Sequence, residues 1–123
     1  MKVEGLNKYN FHDTTICEIK KVKKDVIFNV KFCLTWNNDC DKNMPWQEDM
    51  KLIFKNADSN LYGVFEMNHI LTSMIENNKI IFHCIYFYDD NEDEFDVVVN
   101  ASSVEVKEGY FAKKIFNKKK HFN

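Results

Sequence analysis

Two histidines have neighbours that could do chemistry: His12 stands beside Asp13, and His83 beside Cys84. A histidine held by a carboxylate can act as a general base, and a histidine beside a thiol can activate a nucleophile. The spacing argues against both. Neighbours on a strand point to opposite faces, so a sequential pair does not enter one site. His12-Asp13 therefore reads as a turn or cap ahead of the first strand. His69 is placed to approach His83 across a hairpin, but no Cys or Asp at ligand spacing completes a zinc set. Asp89, Asn91 and Asp93 copy the opening of a calcium loop, yet Glu94 replaces the required Gly and Asn100 the closing Glu. Ser59, Ser73, Ser102 and Ser103 sit in no nucleophile motif, and three glycines leave little for a phosphate cradle. The residues thus predict no catalytic group, no metal, no cofactor and no enzyme.

The charge layout says more. Acids gather in two segments expected to be loops: Asp39, Asp41, Glu48 and Asp49 in one, and Asp89, Asp90, Glu92, Asp93, Glu94 and Asp96 in the other. Lysines gather at the end, at Lys113, Lys114, Lys118, Lys119 and Lys120. Segregated charge steers a partner of opposite sign, while the plain alternative is loop solvation. Trp36, Trp46 and Tyr62 lie in or near the first acidic segment and could anchor such a partner. All 17 basic residues are Lys, and the net charge is −2. Lysine offers a point charge where guanine and phosphate recognition favours the arginine fork, so specific nucleic-acid binding is not expected.

These residues need a frame. At 123 residues, with 45% hydrophobic content and 11 Phe, the chain reads as a single domain over residues 1–123 with an ordered core. The four cysteines, Cys17, Cys33, Cys40 and Cys84, form no C-x-x-C, and no leader or membrane-spanning run is visible. These features predict a cytoplasmic protein with reduced thiols and no membrane partner.

Residues 26–36, VIFNVKFCLTW, place Val26, Phe28, Val30, Phe32, Leu34 and Trp36 at every second position, as a strand requires. A tight turn at Lys23-Lys24 joins this run to a strand over residues 14–22, pairing Ile19 with Phe28, Cys17 with Val30 and Glu18 with Asn29. Further strands are predicted over residues 50–55, 61–67, 80–88, 95–100 and 101–108. Residues 67–77 fit either an amphipathic helix or a strand, and the strand is favoured. A shift of 54 residues lays Ile16 on Ile70, Ile27 on Ile81, Phe28 on Phe82 and the Lys23-Lys24 turn on Asn77-Asn78. N-A-x-S recurs at Asn56 and Asn100, so each half reads hairpin, loop, strand, turn, strand. Residues 80–88 are apolar on both faces, which suggests a central strand covered on both sides.

The expected fold is mainly β: an antiparallel sheet of about seven or eight strands built from hairpins and folded as a sandwich or half-barrel. Residues 108–123 would add a short basic C-terminal helix or tail, which leaves an α+β description open. Exposed edge strands allow a monomer or a weak dimer.

Phe11-His12-Asp13 leads into a hairpin, Leu52 to Asn56 gives an L-x-F-x-N strand, and Ala101 to Val106 gives a closing A-x-x-V-x-V strand. Over residues 9–107 this pattern resembles small bacterial β-rich immunity proteins of polymorphic toxin and contact-dependent inhibition systems. The resemblance implies a protein that binds a cognate toxin domain, a basic nuclease among the candidates, and blocks its active site. The alternative is a small ligand-binding β-barrel or sandwich without catalytic activity, with Trp36, His83, Tyr86 and Tyr88 lining its pocket.

Overall fold

Alternation of apolar and polar residues sets the hairpins of this chain, and the turns set their registers. A computed structural model describes residues 1–38, 43–66 and 68–117. The strands are β1 (Thr15–Val22), β2 (Asp25–Cys33), β3 (Gln47–Lys55), β4 (Asp58–Ser59), β5 (Gly63–Val64), β6 (Asn68–Glu76), β7 (Lys79–Tyr88), β8 (Asn91–Asn100) and β9 (Ser103–Lys107), followed by one helix, α1 (Tyr110–Asn117). Short 3₁₀ segments occupy Val3–Lys8 and Thr35–Asn37. All nine strands join one antiparallel sheet in the order β4-β8-β7-β6-β1-β2-β3-β9, with β5 paired to β1. The sheet is not closed into a barrel. Residues 68–76, which sequence alone left between helix and strand, form β6. No described helix is long and apolar enough to cross a membrane.

The sheet order hides a repeat. Exchanging β1 with β6, β2 with β7, β3 with β8 and β4 with β9 reverses the order and leaves it unchanged. Thr15 on β1 pairs with His69 on β6, its own counterpart 54 residues on, so a pseudo-two-fold axis passes between them. The same shift carries one hairpin onto the other in detail. Ile16 opposes Val30 as Ile70 opposes Cys84, and Ile19 opposes Phe28 as Ser73 opposes Phe82. The left-handed residue of each turn also matches, Lys23 at φ 56° and Asn77 at φ 55°. The buried alanine of each N-A-x-S motif ties back to the turn of its own half: the Ala57 N–H donates to the Lys24 carbonyl at 2.8 Å, and the Ala101 N–H to the Asn78 carbonyl at 2.9 Å. The chain then crosses over. β4 leaves the first half to pair with β8, and β9 leaves the second to pair with β3. Each half thus closes the sheet edge of the other.

Both hairpins contain a β-bulge that the sequence did not announce. The expected partner of Val30 was Cys17, but Ile16 takes that place and Cys17 is the extra residue. Leu71, 54 residues on, is the extra residue of the second hairpin. A bulge lets two core residues on one strand be three apart, as Ile16 and Ile19 are, and it bends the strand. The bend matters for the core. β2 and β7 are three strand spacings apart, about 14 Å on a flat sheet. Yet Phe28 and Phe82 meet across the pseudo-axis with ring centroids 5.7 Å apart. The sheet is therefore curled, with its inner face lined by Ile16, Ile19, Phe28, Leu52, Phe54, Ile70, Ile80, Phe82 and Val99, all essentially inaccessible. Burying each such side chain contributes roughly 1.5–3 kcal/mol before entropy is subtracted.

Other elements close the open end. Phe11 contacts Phe32 and Phe82, and Tyr9 contacts Phe32 and Phe116 of α1. The helix therefore packs at the inner side of the sheet, Ile81, His83 and Ile85 on the outer side of β7 are half-buried and Phe87 is exposed, and residues 118–123 of the tail expected to cover one face lie outside the described residues. Three boundaries also shift. The strand predicted to reach Trp36 stops at Cys33, because Thr35–Asn37 turns into a 3₁₀ segment whose first carbonyl, from Leu34, accepts the Asn37 N–H at 2.9 Å. The strand predicted over 61–67 shrinks to β5, and its expected preceding turn contributes β4. Asp89-Asp90 is a two-residue turn with Asp89 at φ 49°, so Glu92, Asp93 and Glu94 belong to β8 and not to a loop.

Candidate functional site

Each bulge opens a cleft on the sheet, and the two clefts differ in chemistry. The first, about 500 Å³, surrounds Cys17 and is lined by Lys31, Lys51, Lys107 and Asp49 with Asn29, Val30 and Met50. The second, about 460 Å³, surrounds Leu71. Its walls are Trp36, Trp46, Ile85 and Phe87, with Asp13, Cys33, Thr35 and His69 supplying polar atoms. Trp36 and Trp46 are more than half exposed and Phe87 is 39% exposed.

The second cleft is held from several elements. Asp13 takes a left-handed φ of 64°, and this turn brings together side chains that strand geometry would separate. His12 Nε2 lies 3.5 Å from the Asp13 carboxylate, and the Trp36 indole N–H donates to that same Oδ2 at 2.9 Å. The His12 ring meets Trp36 edge-on at 5.0 Å, and its Nδ1 is 2.8 Å from the Leu71 carbonyl. His12-Asp13 is thus a turn, as expected, but one that fixes Trp36 and the bulge. The Trp46 carbonyl accepts the Leu34 N–H at 2.8 Å, which holds the second indole beside the first segment. His69 Nδ1 is 3.2 Å from the Thr15 hydroxyl, and its ring lies 5.9 Å from Phe87.

One wall of this cleft continues into carboxylates. Ile85 is paired with Glu94 and Phe87 with Glu92 on the neighbouring strand, so the acids share the outer face with the aromatic lining. Further along that face His83 opposes Asp96. Its Nδ1 is 2.7 Å from Asp96 and its Nε2 2.8 Å from Glu94. The hydrogen bond to Asp96, and then that to Glu94, raise the imidazole above its ordinary range and favour its charged form. The expected approach of His69 to His83 does not occur, because His69 pairs with Ile85 and His83 with Thr72. Cys84 points to the inner face, and burial, with the charge of Asp96, pushes its thiol up to about 12, far from a reactive thiolate.

The remaining expected residues fall elsewhere. Glu48 lies on β3, and its carboxylate accepts the Phe111 N–H at 2.7 Å and the Ala112 N–H at 2.9 Å. It caps α1 and satisfies donors that a helix start leaves free. Asp49 lies 2.7 Å from Lys31 across the strands, and this bond raises the lysine. Asp93 accepts the Tyr88 hydroxyl at 2.9 Å. Tyr62 accepts the Ser59 N–H at 3.0 Å in its own turn and does not line the cleft. Tyr86 and Tyr88 stack on each other at 5.6 Å on the inner side of β7, and His83 is outside the cleft, so of the four residues expected to line a pocket only Trp36 does. Asp39, Asp41, Cys40, Met67 and Lys118 to Lys120 lie outside the described residues. Among the described residues no group of three His, Cys, Asp or Glu could hold a metal ion.

The sequence pattern does not single out Ile85, Phe87 or Leu71, and it offers His69 only as a neighbour of His83. The signal was present in the excess of apolar residues in 80–88, which was assigned to packing. The architecture defines a mainly-β chain with one curled antiparallel sheet and a duplicated hairpin frame. Compared with known proteins, the chain matches no family model, no curated sequence and no solved structure.

Proposed function

We propose that this protein binds a cognate toxin domain and neutralises it by covering its active site, with the outer face of β6, β7 and β8 as the docking surface. The observation that carries the reading is the continuity of an exposed aromatic cleft with carboxylates that have no lysine partner among the described residues. Glu92 and Glu94 flank the lining residues Phe87 and Ile85, and Asp89 and Asp90 extend the field beyond them. Aromatic anchors beside a single-sign field suit a basic protein surface: the field speeds encounter and the anchors slow release. A basic nuclease groove has that character. The immunity-protein resemblance of residues 9–107 points the same way and supplies the toxin as partner.

The test is protection. The chain is produced together with candidate basic nuclease toxin domains, and survival is scored. Wild-type protein should protect, and a variant carrying Asp89→Lys, Asp90→Lys, Glu92→Lys and Glu94→Lys should lose protection while staying folded. Protection unchanged by the four reversals in low salt would reject the acidic face. The volume of the cleft also falls in the range of small-molecule sites, which keeps a non-catalytic ligand-binding role as the second reading. That role predicts protection by neither protein and saturable binding of a small molecule.

A further inference from the structure

We infer that the cleft between Trp36, Trp46 and Phe87 receives one cationic side chain, lysine or arginine, from the partner; this deepens the partner-binding reading above and rests on it. Three observations converge. First, the lining is aromatic and open: two indoles more than half exposed and Phe87 beside them form a contiguous apolar patch of a kind that usually marks a contact site. Second, its charge has one sign. Asp13 lines the cleft, Glu92 and Glu94 are the cross-strand neighbours of Phe87 and Ile85, and among the described residues no lysine is in the lining. Third, the cleft at the equivalent bulge is the reverse. It carries Lys31, Lys51 and Lys107 and no aromatic residue, so the frame alone does not impose the chemistry.

The chemistry selects the occupant. A cation over an indole face is attracted by the ring quadrupole, and its methylene stem packs on the apolar walls. A neutral apolar group would take water from the Asp13 carboxylate without replacing it, and an anion would meet Asp13, Glu92 and Glu94. Trp36 is fixed in advance by its bond to Asp13 and its edge contact with His12, so little ordering is required on binding.

The experiment uses the full-length ¹⁵N-labelled protein at low salt and pH 8, reading the two indole N–H resonances. The probes are Nα-acetyl-lysine methylamide and Nα-acetyl-arginine methylamide, with Nα-acetyl-norleucine methylamide as the uncharged match. Saturable shifts of both indoles are expected with the lysine probe, the arginine probe or both, about tenfold tighter than with norleucine. Asp13→Asn, which tolerates the same left-handed turn, should weaken the cationic probe and leave norleucine unchanged. Norleucine binding as tightly as the cations, shifts centred on Lys31 and Lys51, or no saturable shift up to probe solubility would overturn the inference. If the cationic probes bind but the charge-reversed variant still protects against the toxin, the cleft inference stands and the proposed function fails. If toxin is neutralised but no cationic probe binds, the reverse holds.

Discussion

The two hairpins share a turn, a register and a bulge, yet their outer faces have little in common. On β1, β2 and β3 the outer ladder runs Glu18, Asn29, Lys51 and on to Lys107 of β9, and a second rung runs Thr15, Lys31, Asp49. Two lysines there are paired in place, Lys31 with Asp49 at 2.7 Å and Lys107 with Glu105 at 3.3 Å, and Glu18 accepts the Asn29 amide at 2.8 Å. On β6, β7 and β8 the corresponding rungs run Thr72, His83, Asp96 and His69, Ile85, Glu94, with Phe87 and Glu92 beyond. Carboxylates outnumber cations there, and apolar side chains stay accessible. The difference teaches where to look. Residues that build the frame are constrained in both halves by the core and the pseudo-axis, while the outer face of only the second half carries groups the frame does not need.

The largest expected effect probes the shared frame. Phe28 and Phe82 are equivalent, fully buried and in ring contact. Phe28→Ala and Phe82→Ala should each cost about 3–5 kcal/mol in urea unfolding. A loss confined to one of them would break the equivalence of the halves.

Smaller effects sharpen the places where the halves part. Thr14 and Asn68 are equivalent and fully buried, but the Thr14 hydroxyl accepts the Cys33 N–H at 3.1 Å, whereas the Asn68 amide has no partner among the described residues. Asn68→Thr, which copies the first half, should stabilise by about 1 kcal/mol in the same unfolding assay, because an unmatched buried amide is costly. The helix after β9 has no counterpart after β4, and it depends on Glu48. A Cβ at Gly109 would meet the Glu48 carboxyl carbon at 2.2 Å. Gly109→Ala and Glu48→Ala should therefore each cost about 1 kcal/mol by removing the cap, and combining them should cost little more than either alone.

The smallest effect concerns His83, which is exposed. Its folded value lies above the ordinary 6.5, first through Asp96 and then Glu94. A raised value means that the linked stability is present below about pH 6.5 and is lost as pH rises through the folded value. An NMR titration should find His83 above 6.5, and Asp96→Asn should lower it. An unshifted midpoint would remove the Asp96–His83–Glu94 arrangement from the account.

Much of the frame was legible in the chain. The alternation over 26–33 and the 54-residue offset of Phe28 and Phe82 were enough for the hairpins, because a period of two admits only a strand. The bulges were not legible, since Cys17 and Leu71 are ordinary strand residues and only the pairing shows that they are extra. The cleft was hidden for the same reason. Trp36 and Trp46 were visible as aromatics, but the wall formed by Ile85 and Phe87 depends on a bent sheet, and the meeting of His12, Asp13 and Trp36 depends on a left-handed φ at Asp13. Glu48 shows the converse: it reads as a loop acid and becomes a helix cap only through a contact made 63 residues away.

The central claim, that the second half's outer face is the binding surface, is tested most directly by association kinetics with the toxin domain at two salt concentrations. Two folded variants are compared: Asp89→Lys, Asp90→Lys, Glu92→Lys and Glu94→Lys in the second half, and Glu18→Lys, Asp49→Lys, Asp58→Lys and Glu105→Lys on the strands of β1, β3, β4 and β9. The account predicts that the first variant slows association by about tenfold or more at low salt and flattens the salt dependence, while the second changes it by less than about twofold. Equal slowing by both variants, or none by the first, would contradict it.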